Sequence, residues 1–494
     1  MDKEPMAQAR RWRAFAVLAV SFFMTIIDLT IVNVALPTIG RDLHFSESNL
    51  QWVVTAYGLT FGGFLLLGGR AADLLGRRRI LMAGLAVFTA ASLGAGLATS
   101  EGLLIAMRGL QGLGAAVVLP AALSIVMNML AEGAERNKAL GLWGGIGAAG
   151  ATIGLITGGV LIRYLGWEYI FFLNVPIGIT AFTLAPRIVP DSRLATARRR
   201  FDPLGAVTVT GGLLLLVYAL SQAPQIGWGS ARTVSVLAVS AALLAAFVVV
   251  ETRTGAPLMP LRIFRLRAVA AANAVGLLLG GSFFAFIFIG TLYMQQVLGY
   301  SALQTGVAWL AASLISVALA GLSQRLVTRV SAAPVMALGM ALIGGGILWA
   351  TQAPVHGHFW SALAGPFFIA GAGTAFAFIP ISIAGLTGVA GREAGLASGL
   401  LNTSQQLGGA IGVAIASTVA ATRLKTLAGQ GKPMNVALTG GFHWALWVCA
   451  AIALLALPTT AALLRRKAPP AGIERAVPAL DGDAVPVLEG DGVR

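Results

Sequence analysis

Residues 13–37 read RAFAVLAVSFFMTIIDLTIVNVALP. The run is long enough to cross a bilayer, since a spanning helix needs about 20 mostly apolar residues. One carboxylate, Asp28, stands in its midst. An acidic side chain at that depth costs about 2.5–3.5 kcal/mol on insertion scales, and where it is retained it is a functional candidate. The rest of the chain has the same character. Of 494 residues, 57% are hydrophobic and only 11% charged, with a mean hydropathy of +0.83. A soluble domain carries about 25% charged residues, so the composition is that of a polytopic, all-α membrane protein. The first run is too long for a cleavable signal and lacks a small-residue cleavage site.

Fourteen such runs follow one another, at residues 13–37, 50–69, 80–98, 102–128, 138–161, 167–186, 203–221, 232–251, 268–294, 303–324, 333–352, 359–386, 394–420 and 441–464. The tail, residues 465–494, is rich in Pro, Gly, Asp and Glu and reads as disordered. Basic residues set the orientation. With the N-terminus in the cytoplasm, 27 of the 34 Lys and Arg residues fall in cytoplasmic segments and six in external ones. That asymmetry predicts cytoplasmic termini and an even number of spans. It also accounts for the net charge of +15 without nucleic acid. The linker 187–202 holds Arg187, Arg193, Arg198, Arg199 and Arg200, as a positive-inside loop would. The single cysteine, Cys449, excludes an internal disulfide and a CxxC site and reads as a small buried hydrophobe.

The remaining basic residue, Arg108, lies inside the fourth run. At 1.5 Å per residue, Asp28 is about 14 Å below the external end of its helix and Arg108 about 9 Å into its own. Long side chains cover that difference, which predicts an opposite-charge pair sharing one aqueous cavity. The alternative is a plain ion pair that bolts the two helices together, although buried pairs are poor stabilisers.

An internal repeat adds to this. Gly69-Arg-Ala-Ala-Asp73-Leu-Leu-Gly76-Arg77-Arg78-Arg79 joins the second and third runs, and Gly321-Leu-Ser-Gln-Arg325-Leu-Val-Thr-Arg329 joins the tenth and eleventh. Runs one to six then correspond to runs nine to fourteen. The expected organisation is a cytoplasmic N-terminus (1–12), a six-helix bundle (13–186), a basic linker (187–202), two inserted helices (203–251), a second cytoplasmic linker (252–267), a second six-helix bundle (268–464) and a cytoplasmic tail (465–494). Repeats of this kind are typical of secondary transporters, with the site near the midplane between the halves.

Six stretches, in order, resemble the fourteen-span drug:proton antiporter family of the major facilitator superfamily. Asp28-Leu-Thr-Ile-Val-Asn33-Val-Ala-Leu-Pro37 is similar to the family's first-span stretch. Gly69, Asp73, Gly76, Arg77 and Arg78 resemble the signature between spans two and three, read as a conformational latch. Leu74 replaces a residue that is often basic there. Arg108-Gly-Leu-Gln111-Gly112-Leu-Gly114 resembles the span-four motif whose Arg is associated with proton transfer. Gly141, Gly150, Gly154, Gly158 and Gly159 keep the spacing of the antiporter motif, but Leu155 stands where that motif has Pro. Trp167-Glu168-Tyr-Ile-Phe-Phe-Leu-Asn174-Val-Pro-Ile-Gly178 and Asn402-Thr-Ser-Gln405-Gln406-Leu-Gly-Gly complete the set, with Glu168 and Gln405 in place of Arg.

The resemblance implies the major facilitator fold. It also implies proton coupling through Asp28 and Arg108, with the proton gradient as energy source and no cofactor, a functional monomer, and a bacterial cytoplasmic (inner) membrane location. Burial disfavours the charged form of Asp28 and a nearby guanidinium favours it. Candidate lining residues for a mostly apolar substrate pocket are Asn33, Trp52, Tyr57, Gln111, Phe284, Phe288, Tyr293, Gln295, Gln296, Asn402, Gln405 and Gln406. No GxxxxGK[ST] loop encodes an ATP-driven pump. No His or Cys cluster offers a metal site: His356 and His358 lie in a short external loop and read as a chance polar pair, and no catalytic constellation marks an enzyme. Three functions stay open: an exporter of drugs or other amphipathic organic compounds, a transporter dedicated to one solute such as a natural product, by export or symport, and a non-transporting sensor or scaffold on a transporter fold.

Overall fold

The computed structural model describes residues 8–464 apart from 46, 51, 131–133, 191–201, 256 and 390–392. The tail and most of the 187–202 linker, including Arg193 and Arg198 to Arg200, therefore lie outside the described residues. Fourteen long helices carry the fold: α1 Gln8–Asp42, α2 Trp52–Leu75, α3 Arg77–Gly96, α4 Glu101–Met129, α5 Ala134–Tyr164, α6 Tyr169–Ile188, α7 Pro203–Ile226, α8 Ala231–Arg253, α9 Arg267–Gln296, α10 Ala302–Val330, α11 Ala332–Ala350, α12 Ala364–Leu386, α13 Ala394–Gly429 and α14 Met434–Leu464. Among the described residues thirteen of them are long and apolar enough to cross a membrane; the remaining one, the glycine-rich α5, is 31 residues long. Among the described residues the regular structure is helical throughout.

Local signals place the helix ends. Ser100 caps α4, Asp202 caps α7 with Pro203 following, and Ser301 and Gln304 form a capping box on α10. Between α2 and α3 the chain reverses at one residue, Gly76, whose φ is +102°. That backbone region favours glycine because a side chain would crowd it. The equivalent reversal between α10 and α11 is made by Ser331, at φ +88°. The repeat inferred from two basic stretches is thus also a repeat of one-residue turns.

Helix pairing repeats in the same register. In the first half α1 lies against α5 and α6, α2 and α3 against α4, and α3 against α6. Adding eight to each label gives the pairs of the second half: α9 with α13 and α14, α10 and α11 with α12, and α11 with α14. Across the halves α5 meets α10 and α2 meets α13, again related by eight. The inserted helices α7 and α8 pair with each other, and α7 covers the outside of the α2–α13 seam. Leu214 and Val217 of α7 sit on Gly63 and Gly62 of α2.

Candidate functional site

Asp28 faces α4 from α1 and is fully buried. Its position follows from small residues on either side. Along α5, Gly150 abuts Ile26, Gly154 abuts Thr30 and Gly158 abuts Ile31. A Cβ at Gly154 would collide with the Thr30 hydroxyl, so Gly150, Gly154 and Gly158 set how closely α1 lies on α5. Gly159 and Gly141 face the other way, toward Leu303 and Gln324 of α10. The side chain of Leu155 lies outside the described ones.

On α4, Arg108 and Gln111 are one turn apart and share the face toward Asp28. Gly112 lets α2 approach, since a Cβ there would strike Thr60 and the Tyr57 carbonyl, and Gly114 does the same for α3 at Phe88. The result is a closed polar network. Arg108 Nη1 donates to Asp28 Oδ2 at 2.6 Å and to Gln111 Oε1 at 2.9 Å, and its Nε donates to the Val53 carbonyl at 2.9 Å. Gln111 Nε2 donates to Asp28 Oδ1 at 3.1 Å and to Ser92 Oγ of α3 at 2.8 Å. Asn174 Nδ2 of α6 donates to Asp28 Oδ1 at 2.8 Å. Tyr57 lies over the guanidinium, 4.4 Å from ring centre to Cζ, and its hydroxyl donates to the Thr25 carbonyl.

The expected pairing of Asp28 with Arg108 is direct, but in place of the expected aqueous surroundings the two side chains are 0% and 1% exposed among the described residues. The physical reason is that α2, α3, α4 and α6 close over the pair and satisfy it with their own polar groups. A buried ion pair repays its desolvation only when the remaining hydrogen-bonding capacity is met in this way. Two members of the network, Asn174 and Ser92, were not singled out as site residues from the sequence. Asn174 stood inside a quoted motif, and a buried amide beside an embedded carboxylate was the available signal. Ser92 carried none.

Of the five residues read as a latch, Gly69 and Asp73 lie at one end of the α2–α13 seam, Arg77 holds Asp73, Gly76 makes the turn and Arg78 reaches α6. Gly69 packs on Gly395 so tightly that a Cβ on either would strike the other's carbonyl. Asp73 then reaches the first turn of α13. Its Oδ1 accepts from the Gly395 N–H at 3.1 Å and its Oδ2 from the Leu396 N–H at 2.8 Å. A carboxylate from one half thus caps a helix of the other, where free N–H groups and the helix dipole favour negative charge. Arg77 Nε and Nη2 hold Asp73 Oδ1 at 3.1 and 2.9 Å. Arg78 donates to the Pro186 and Val189 carbonyls at the end of α6. The segment after α8 straps over this end. Arg70 donates to the Pro257 carbonyl at 2.9 Å, and Arg262 meets Glu393, the residue preceding α13, at 2.8 Å.

The described pocket candidates are spread over several parts of the molecule. Tyr57 and Gln111 belong to the Asp28 network. Trp52 stacks on Tyr218 of α7, with ring centres 5.9 Å apart, because the inserted helices cover its face of α2. Tyr293 is buried and donates to the Pro354 carbonyl, Phe288 is 39% exposed, and Gln295 and Gln296 are exposed at the end of α9. Phe284 lies against Gly409. Asn402, Gln405 and Gln406 are half-buried on α13, Gln405 beside Gly276 and Gly280 of α9. The Asn33 side chain lies outside the described ones. A small cleft opens elsewhere, between α5, α10 and α12, lined among others by Gly144, Ser316, Thr374 and Phe378.

Comparison with known proteins places this architecture. Residues 18–413 match the Major Facilitator Superfamily. The cephamycin export protein CmcT of Amycolatopsis lactamdurans is 38% identical over 461 residues, covering 92% of this chain and 94% of that protein. The puromycin resistance protein pur8 of Streptomyces alboniger is 38% identical over 414 residues, covering 83% of this chain and 82% of that one. Among solved structures, the human organic anion transporter MFSD10 (TETRAN) superposes with a TM-score of 0.68 at 15% identity, over 92% of this chain and all of that one.

Proposed function

The chain belongs to the Major Facilitator Superfamily, and from that premise we propose that it is a proton-coupled secondary transporter that exports drugs or other amphipathic organic compounds by alternating access. It is a transporter and not an enzyme. The observation that carries the coupling is the fully buried Asp28–Arg108 pair inside the first half. A proton delivered to Asp28 cancels the carboxylate charge and leaves the guanidinium without its counter-ion. An uncompensated buried charge is strongly destabilising, so protonation favours the alternative arrangement of helices. The proton gradient, with no cofactor, drives the cycle, and its electrical part supplies about 2.3 kcal/mol per charge per 100 mV.

The moving bodies in this reading are residues 13–186 and 268–464, rocking about the α5–α10 and α2–α13 seams, with 203–251 riding on the second. In this reading both termini, and hence the Asp73 latch, lie on the cytoplasmic side of a bacterial inner membrane, an orientation the basic-residue asymmetry supports. The latch then holds the cytoplasmic end shut and must break for substrate to enter from within. Substrate is met by the amides of α13, Asn402, Gln405 and Gln406, with Phe284 beside them. The protein works as a monomer.

A second reading, export of one natural product, is favoured by the relatives' names, which refer to one antibiotic each, cephamycin and puromycin. Growth inhibition in a host stripped of its own efflux pumps tests both readings. Protection against several unrelated cationic or neutral compounds supports broad export. Protection against one structural class supports dedicated export, and protection against none, with the protein present in the membrane, contradicts both.

A further inference from the structure

Three groups on two helices, Arg108 and Gln111 of α4 and Asn174 of α6, donate to the Asp28 carboxylate, and they differ in what they can do when it takes up a proton. Arg108 has donors only. Gln111 has an acceptor oxygen, but Arg108 Nη1 holds it at 2.9 Å while its nitrogen spans Asp28 and Ser92. Turning that amide over would break the contact with Arg108. Asn174 is different. Its nitrogen donates to Asp28 Oδ1 at 2.8 Å, and its own Oδ1 is buried without any partner. A buried acceptor left unpaired costs free energy and calls for an explanation.

The geometry points to Asn174 as the residue that holds Asp28 in both of its protonation states, donating N–H to the carboxylate and, after half a turn of its amide, accepting O–H from the carboxylic acid at its now unpartnered oxygen. This rests on the reading of Asp28 as the proton carrier and deepens it. Asn174 is a positioning residue: it carries no proton itself. Around the pair, among the described residues, stand the Arg108 guanidinium of α4, the Tyr57 ring of α2, whose hydroxyl is bound to the Thr25 carbonyl, Ser92 of α3, which accepts from Gln111 and donates to the Phe88 carbonyl, and Phe171 of α6, whose ring faces Arg108. None of these offers a free acceptor to a protonated Asp28. The amide flip moves no helix, so Asp28 can accept a proton before the bundle rearranges. Release of Arg108 then follows protonation and does not have to precede it.

Infrared difference spectra of the reconstituted full-length protein, taken across a pH titration, test the assignment without a substrate. In wild type a protonated carboxyl band appears on acidification. Asp28→Asn must remove it, and if the band survives, the proton carrier is elsewhere and both readings fall. Asn174→Leu keeps the size of the side chain and removes both hydrogen-bonding functions. It is expected to move the band to higher frequency, because the acid's O–H has lost its acceptor. It should also raise the pH midpoint by about half to one unit, since the charge-assisted bond lost from the carboxylate is the stronger of the two. A band unchanged in frequency and midpoint overturns the assignment. Asn174→Asp keeps it testable if the Leu variant fails to reach the membrane. Two carboxyls at this separation share one proton, so the midpoint should rise by more than one unit, and an unmoved midpoint again overturns it.

Discussion

Arg108 and Asp28, eighty residues apart in sequence, meet at 2.6 Å in a site that solvent does not reach. The pair bridges α4 and α1 within one half of the molecule and leaves the seam between the halves free. In the proposed mechanism coupling is therefore indirect: protonation of Asp28 would alter the packing of α1 against α4 and α6, and the seam would respond. Breaking such a pair one-sidedly costs about 3–5 kcal/mol, because the surviving charge stays buried. Arg108→Leu should therefore lower the thermal midpoint of the purified protein far more than Arg108→Leu combined with Asp28→Leu. Equal losses in the single and double variants would mean that the two charges are not energetically coupled.

The Asp73 contact with α13 links the two halves directly. Asp73→Ala removes two bonds to α13 and the anchor of Arg77. Hydrogen bonds to charged groups are worth about 1.5–3 kcal/mol each, so the population open at this end should rise at least tenfold. Spin-label distances between the ends of α2 and α13 read this out, with a longer-distance component growing at the expense of the shorter. A distribution identical to wild type would reduce the latch to a topogenic loop.

Glycine substitutions along α5 should divide by what each would meet. Gly154→Ala and Gly158→Ala drive a methyl into Thr30 and Ile31 of α1, whereas Gly145→Ala meets nothing within 4 Å. The first two should lose most transport at equal expression, and the third should keep it. Overpacking of this kind typically costs about 1–3 kcal/mol. Loss in all three alike would point to helix flexibility and not to the fit against α1.

The two one-residue turns make opposite predictions. Ser331 occupies a positive-φ region where a side chain is strained, a cost on the order of 1–3 kcal/mol. Ser331→Gly should raise the thermal midpoint by a few degrees, and Gly76→Ala should lower it. A fall for Ser331→Gly would show that the serine makes a contact worth more than the strain.

Much of this was legible in the chain. Charge asymmetry and apolar run length carried the fourteen helices, and two short basic stretches carried the repeat, because bilayer thickness and the cost of burying charge act on sequence directly. Depth arithmetic brought Asp28 and Arg108 together. What it could not carry was helix rotation. Whether Asn174 of α6 turns toward Asp28 or toward lipid depends on how α1 and α6 roll against each other, and the motif around it fixes the residue but not the angle. The stacking of Trp52 on Tyr218 was not legible for a similar reason: the sequence does not say which face of the bundle α7 and α8 will cover. The dryness of the Asp28 site was likewise decided by tertiary packing, through Tyr57, Gln111 and Ser92.

The most direct test of the central claim is ethidium movement in proteoliposomes under an imposed pH gradient, with proton flux followed in the same vesicles, for wild type and Asp28→Asn at equal protein content. The account predicts gradient-driven accumulation with counter-moving protons in wild type. In the variant both are lost, while gradient-independent exchange of ethidium is retained. Gradient-driven accumulation by Asp28→Asn at the wild-type rate would contradict it, because the coupling proton would then have to bind elsewhere.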